Sequence, residues 1–263
     1  YLGLGNSDYP FYPVYQKTNG KVLLDMAEGV KEFACENDIT LNENLFLIGY
    51  SNGGYNSIAM HEELSKRPRD FDIDASVVIA GYFDLKREED FKYPEIIETP
   101  AWAIYHSYVL NKTYNLNVID KIIRSPYVER LDDLFNGEYS ATYIDQKLTR
   151  YTEQLFTADF LNNYDTLPIF DNYKEAIASN SLMNANISGD IFLIHSKEDE
   201  VVPYEQSQNL YDSVKSKGVN AELMLLEKGN HSPQDYVMSV VEALKWLEPV
   251  SYTHLTLPTN DRV

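Results

Sequence analysis

With 263 residues, 44% of them hydrophobic, the chain is long enough to bury one substantial core and is read as one domain. A formal net charge of −19, from 41 acidic against 22 basic residues, repels phosphate backbones and anionic headgroups, so nucleic acid is not expected as a partner. No run approaches the roughly 18 consecutive apolar residues of a membrane-spanning helix, and the single cysteine, Cys35, can form no internal disulfide. The place of Cys35 within a helical apolar pattern predicts a small buried core residue.

The chain opens on Tyr1 rather than Met, which reads as a start inside a longer coding sequence. Gly3-Leu-Gly5-Asn-Ser-Asp8 begins like a dinucleotide fingerprint, but Asp8 stands at the third glycine position and would set negative charge beside a pyrophosphate; no nucleotide cofactor is expected. Over residues 21–36, Val22, Leu23, Met26, Ala27, Val30, Phe33 and Ala34 recur at helical spacing, with Thr18 or Asn19 available as a cap. Residues 45–50 form a short apolar run that predicts a strand buried on both faces of a parallel sheet, and a helix follows from Asn52 to about Lys66, stopped before Pro68. Further buried strands are expected at 75–80, 191–195 and 221–226, with helices over 204–217 and 233–247. This alternation of strand and helix predicts an α/β fold with a mostly parallel sheet and helices on both faces.

Residues 85–186 break the rhythm. They are rich in Tyr, Asn and Asp, show short helical pieces at 119–124 and 152–160, and read as a helical lid insertion over the sheet. Trp102, Tyr105, Leu134, Phe135, Leu155, Phe156 and Phe160 could line an acyl pocket there, although packing of the insertion onto the sheet accounts better for most of them. At the other end, residues 250–259 resemble a sequencing adapter read through in frame, so the tail of 250–263, His254 included, is set apart from a domain of 1–249.

Gly49-Tyr-Ser51-Asn-Gly53 is a G-x-S-x-G motif placed between a buried strand and a helix. The turn puts the serine in strained backbone geometry, and side chains at Gly49 and Gly53 are expected to collide with it. A serine hydroxyl is a poor nucleophile near neutral pH, so it needs a base to take its proton and an acid to orient that base. His231, in the loop beyond the 221–226 strand, is the candidate base. Asp199, after the 191–195 strand, is the candidate acid, despite Glu198 and Glu200, which suit a solvated acidic turn; Asp84 is its rival. The order Ser, Asp, His favours Asp199. His195, Glu198, Asp199 and Glu200 do not make a metal site on this reading, because consecutive loop residues diverge.

Together, Gly-Tyr-Ser51-Asn-Gly-Gly, Ala-Gly-Tyr-Phe-Asp84-Leu, His195-Ser-Lys-Glu-Asp199-Glu-Val-Val-Pro203 and Gly-Asn-His231 resemble the α/β-hydrolase superfamily, and within it the bacterial secreted lipase/esterase-like group. The opening Tyr1-Leu-Gly-Leu-Gly-Asn-Ser7 resembles that group's glycine-rich stretch after an early strand. The resemblance implies a serine esterase or lipase without cofactor or metal, acting on a small-molecule or lipid ester, and exported. It implies first strands and a second oxyanion donor upstream of Tyr1, the first donor being the Asn52 N–H. Ser196 stands where the group usually has glycine. A serine peptidase of the prolyl-oligopeptidase type shares fold and triad order, although the large insertion counts against it. A non-catalytic binding protein on the same scaffold is the reading of a different class.

Overall fold

The structure is a computed structural model and describes residues 13–42, 44–84 and 94–253, the side chains of 249–253 excepted. Two compact units divide the chain, one of residues 16–84 and 182–263, the other of residues 1–15 and 85–181.

In chain order the elements that matter are α1 (Gln16–Glu36), β1 (Phe46–Tyr50), α2 (Asn52–Lys66), β2 (Ala75–Ile79), α3 (Pro100–Tyr114), α4 (Asp171–Asn180), β3 (Asp190–Ser196), α5 (Glu205–Ser216), β4 (Ala221–Leu226) and α6 (Val237–Thr253). The four strands form one sheet in the order β1-β2-β3-β4, every neighbouring pair parallel. Because every pair is parallel, the C-terminal ends of all four strands lie along one edge, where ligand sites of open α/β sheets form.

β2 shows why both faces need helices. Ala75, Val77 and Ile79 face a cluster completed by Phe192, Ile194 and, from α6, Ala243 and Leu247. On the other face, Ser76 Oγ lies 2.7 Å from Nε2 of His61 on α2. Leu24 of α1 packs there with Met60 and Leu64 of α2 and with Ile73. Each residue of β2 is buried, as a near-continuous apolar strand covered on both sides should be.

Several expectations are corrected. β1 pairs with β2 alone among the described residues and leaves Ile48 48% exposed, so the run at 45–50 is not buried on both faces. α1 starts at Gln16, so Thr18 and Asn19 lie within the helix rather than capping it, and Asn19 Nδ2 donates to Asn56 Oδ1 at 2.9 Å. Cys35 is exposed, because α1 turns Ala34 inward and the next residue points about 100° away. α6 runs on to Thr253 and so takes in the first four residues, 250–253, of the segment set apart as a tail.

In the other unit, α3 and α4 are linked by Ser107 Oγ and Tyr173 OH at 2.6 Å. Phe160 is the hub of an aromatic cluster, its ring centroid 5.4 Å from Phe156, 5.5 Å from Tyr164 and 5.9 Å from Phe170. Leu134, Leu155, Phe156 and Phe160 are buried, Tyr105 and Phe135 half-buried, and Trp102 exposed, so most of the residues offered for an acyl pocket pack the unit's interior. The expected helix at 152–160 is two short helices, Thr152–Leu155 and Ala158–Asn163, because Thr157 caps the second through its Oγ1, which accepts from the Phe160 N–H at 3.2 Å. Among the described residues, no helix is long and apolar enough to cross a membrane.

Candidate active site

Ser51 links β1 directly to α2. Its N–H donates to Ile79 O at 2.8 Å, the last rung of the β1–β2 ladder, and its own carbonyl accepts from Gly54 N and Tyr55 N in the first turn of α2. To make that junction without a loop, Ser51 takes φ 53° and ψ −119°, outside the conformations a side-chain-bearing residue prefers. The crowding falls partly where the motif predicts. A Cβ on Gly49 would come 2.3 Å from Gly53 O and 2.6 Å from Ser57 Oγ. On Gly53, by contrast, a Cβ would meet nothing within 4 Å, which corrects the collision expected there. The second crowded glycine is Gly54, whose Cβ would sit 2.8 Å from Val78 Cγ1 and 3.1 Å from Gly81 Cα.

Asp199 lies in the turn after β3. Glu198 and Glu200 are exposed on either side of it, while its own carboxylate is fully buried. Oδ1 accepts the N–H groups of Val201 and Val202 at 2.9 and 2.8 Å, and Oδ2 accepts from His231 Nδ1 at 2.7 Å and Tyr236 OH at 3.2 Å. His195 Nε2 stands 3.4 Å from Oδ2. Burial pushes the Asp199 carboxyl up, but the hydrogen bonds from His195, His231 and the Val202 N–H, with the charge of His231, outweigh it and hold the group below the usual carboxylate range.

His231 bridges the other two residues. Its Nε2 is 2.8 Å from Ser51 Oγ. A carboxylate can only accept, so Nδ1 carries the proton toward Asp199; in the neutral ring Nε2 then presents its lone pair to the serine hydroxyl. The imidazole stacks on Tyr50, centroids 5.3 Å apart, and Tyr50 OH donates to the His231 carbonyl at 3.2 Å. Asn230 ties the histidine loop to the acid loop: its Oδ1 accepts from Glu200 N at 3.1 Å and its Nδ2 donates to Glu200 Oε2 at 3.1 Å. Ser196, in the place usually held by glycine, donates through Oγ to Gly229 O at 2.5 Å and fastens the same two loops.

Ser51, Asp199 and His231 are thus brought together from the ends of three strands. Asp84 is held through its backbone by Gln206, whose Oε1 accepts the Asp84 N–H at 2.7 Å, and with His231 Nδ1 on Asp199 and Nε2 on Ser51 no ring nitrogen is left for it. Asn52 opens α2, so its N–H has no carbonyl four residues back and is a fit oxyanion donor beside Ser51. The glycine-rich stretch at 1–7 and Gly3, Gly5 and Asp8 of the rejected nucleotide motif lie outside the described residues. Tyr50, Tyr236 and Asn230 were not singled out by the sequence; Tyr236 reads there as an ordinary aromatic of the last helix. An open polar hollow lined by Lys197, Glu198, Asp199, Glu200, Gly229 and Asn230 does not include Ser51 among its walls.

Residues 130–251 match the prolyl oligopeptidase family, a stretch that contains Asp199 and His231 but stops short of Ser51. Among solved structures, a protein of Legionella pneumophila superposes with a TM-score of 0.83 at 22% identity, over 98% of this chain and 70% of that one. The rice cell wall degrading esterase LipA of Xanthomonas oryzae gives 0.75 at 21% identity, over 97% and 70%. The chain has the α/β-hydrolase fold. The fold is also similar to that of Candida antarctica lipase A, with a TM-score of 0.69 at 13% identity over 90% of this chain and 55% of the lipase. No curated protein matches it. The family match and the esterase and lipase neighbours support a serine hydrolase in general.

Proposed function

We propose that this α/β-hydrolase cleaves carboxylic esters through an acyl-enzyme, with Ser51 as nucleophile, His231 as general base and Asp199 as the acid that orients it. The reading is carried by one observation: the unbroken hydrogen-bonded line from Ser51 Oγ to His231 Nε2 at 2.8 Å and from His231 Nδ1 to Asp199 Oδ2 at 2.7 Å. As Ser51 Oγ attacks the ester carbonyl, its proton passes to Nε2, and the imidazolium so formed is stabilised by the Asp199 carboxylate. The Asn52 N–H stabilises the developing oxyanion. His231 then returns the proton to the leaving alcohol, and the same nitrogen activates the water that releases the acid. No cofactor or metal enters this chemistry.

Esters are favoured over peptides by the neighbours whose names state an activity, an esterase and a lipase that align with 97% and 90% of the chain. The competing reading, a serine peptidase, is favoured by the match of residues 130–251 to the prolyl oligopeptidase family. Turnover of short and long chromogenic acyl esters, set beside an Xaa-Pro amide, separates the two. Ester turnover that vanishes in Ser51→Ala is expected; amide cleavage without ester cleavage would make the peptidase reading correct. Turnover of neither substrate would favour a binding protein. Export, implied by the same resemblance, is part of the proposal and is tested by fractionating cells that express the whole gene.

A further inference from the structure

The carboxylate of Asp199 takes four donors within 3.2 Å, with His195 Nε2 farther off at 3.4 Å, and three of the four are fixed by the backbone or by His231 itself. The fourth is Tyr236, a fully buried side chain from the 3-10 turn Pro233–Tyr236, five residues beyond His231. A phenol has one proton. The Ser196 N–H donates to the Tyr236 oxygen at 3.1 Å, so that oxygen is an acceptor on one side and must direct its only hydrogen elsewhere; the Asp199 Oδ2 atom, at 3.2 Å, receives it. The last residue of β3 thereby dictates the direction of the hydroxyl, and the hydroxyl fixes the outer edge of the carboxylate.

We infer that Tyr236 is a positioning residue, which through its O–H holds Oδ2 of Asp199 turned toward His231 Nδ1; the inference rests on the triad reading above. With Oδ1 pinned by two amides and Oδ2 by the phenol, the carboxylate plane cannot rotate about its own bond, and the His231 imidazole inherits that orientation. Burial, with the charge of Asp199, pushes the pKa of the Tyr236 phenol above its ordinary value, so it stays a neutral donor wherever the site works. The ring closes the arrangement from the side, its centroid 5.8 Å from Tyr50, the residue that stacks on the imidazole.

The test uses the full chain with Tyr236→Phe and, to keep the volume of the hydroxyl without its proton, 4-fluorophenylalanine in place of Tyr236. Thermal unfolding is followed alongside kcat and KM on a chromogenic ester. Both substitutions are expected to lower kcat by about ten- to a hundredfold, the effect of a small misplacement of a catalytic group, while KM stays within about twofold. If the phenylalanine chain does not fold, the isosteric one carries the comparison. In an Asp199→Asn background, removing the hydroxyl should change the rate of Ser51 labelling by a fluorophosphonate by less than about twofold, because the group it acts through has lost its role. Unchanged kcat in the folded variants, or a loss that simply multiplies with that of Asp199→Asn, would overturn the inference. Failure of the unsubstituted chain to label at Ser51 would instead overturn the triad reading, and the role of Tyr236 with it.

Discussion

Ser51 holds a backbone conformation that costs a side-chain-bearing residue about 1–3 kcal/mol, and it is kept there by what surrounds it. The motif made Gly49 and Gly53 the glycines that matter, yet of the three glycines around Ser51 it is Gly49 and Gly54 that are crowded, because spacing along a chain does not reveal which neighbour the helix turns toward Val78. Gly53→Ala should therefore leave unfolding temperature and ester turnover near those of the parent, whereas Gly49→Ala, driving a methyl into the Gly53 carbonyl, should abolish turnover and lower the unfolding temperature. Equal tolerance at both positions would refute this account of the elbow. For the acid, Asp199→Asn should lower turnover by about four orders of magnitude, the scale seen when a triad acid loses charge and tautomer control, and Asp84→Asn should cost far less. Steady-state ester kinetics decide, and the reverse ranking would move the acid to Asp84. His61 has a different role. Buried on α2 against Ser76, it has its pKa lowered by that burial to about 3, against an ordinary value of 6.5. Between those limits the unfolded chain takes up a proton that the native chain refuses, so stability is full above about pH 6.5 and falls with acid by about 1.4 kcal/mol per pH unit from this group. Urea unfolding at pH 7 and pH 5 should show this loss shrinking by about 2 kcal/mol in His61→Gln. An identical loss in the variant would mean His61 is protonated in the fold.

Elements were legible in proportion to how completely they are buried. β2 and β3 read as near-continuous apolar runs and are covered on both faces, and β4 begins and ends where its pattern does. β1 has the same kind of sequence, Phe-Leu-Ile-Gly-Tyr, but lies at the edge of the described sheet, a distinction that depends on strand order and not on composition. α1 was misjudged at its start because Thr18 and Asn19 look like caps, whereas Asn19 is buried in a side-chain bond to Asn56 on α2. In the 85–181 unit, short helices follow one another too closely for periodicity to separate them, although Thr157 before Ala158–Asn163 was a cap signal in plain view. Because Phe156 is wholly buried against Phe160, Phe156→Ala should destabilise this unit by about 3–5 kcal/mol, read as a shift in its chemical unfolding transition. A change in acyl-length preference at unaltered stability would return Phe156 to the substrate pocket.

At the scale of the whole molecule, the alternation of strand and helix fixed the parallel sheet, and the order Ser, Asp, His along the chain matched the order of strand ends along its edge. Consecutive strand order lets three residues separated by 148 and then 32 positions meet at hydrogen-bond distance. What the sequence left dark was the support of that meeting: a tyrosine before the nucleophile and another after the base, each placed by how its own turn folds back. Whether the meeting makes a nucleophile is decided most directly by treating the chain with a fluorophosphonate and locating the adduct by peptide mass spectrometry. Only a serine with an adjacent, oriented base is activated enough to react, so one adduct, on the peptide that contains Ser51, is the expected result. An unmodified Ser51 peptide, or an adduct on any other serine, would contradict it.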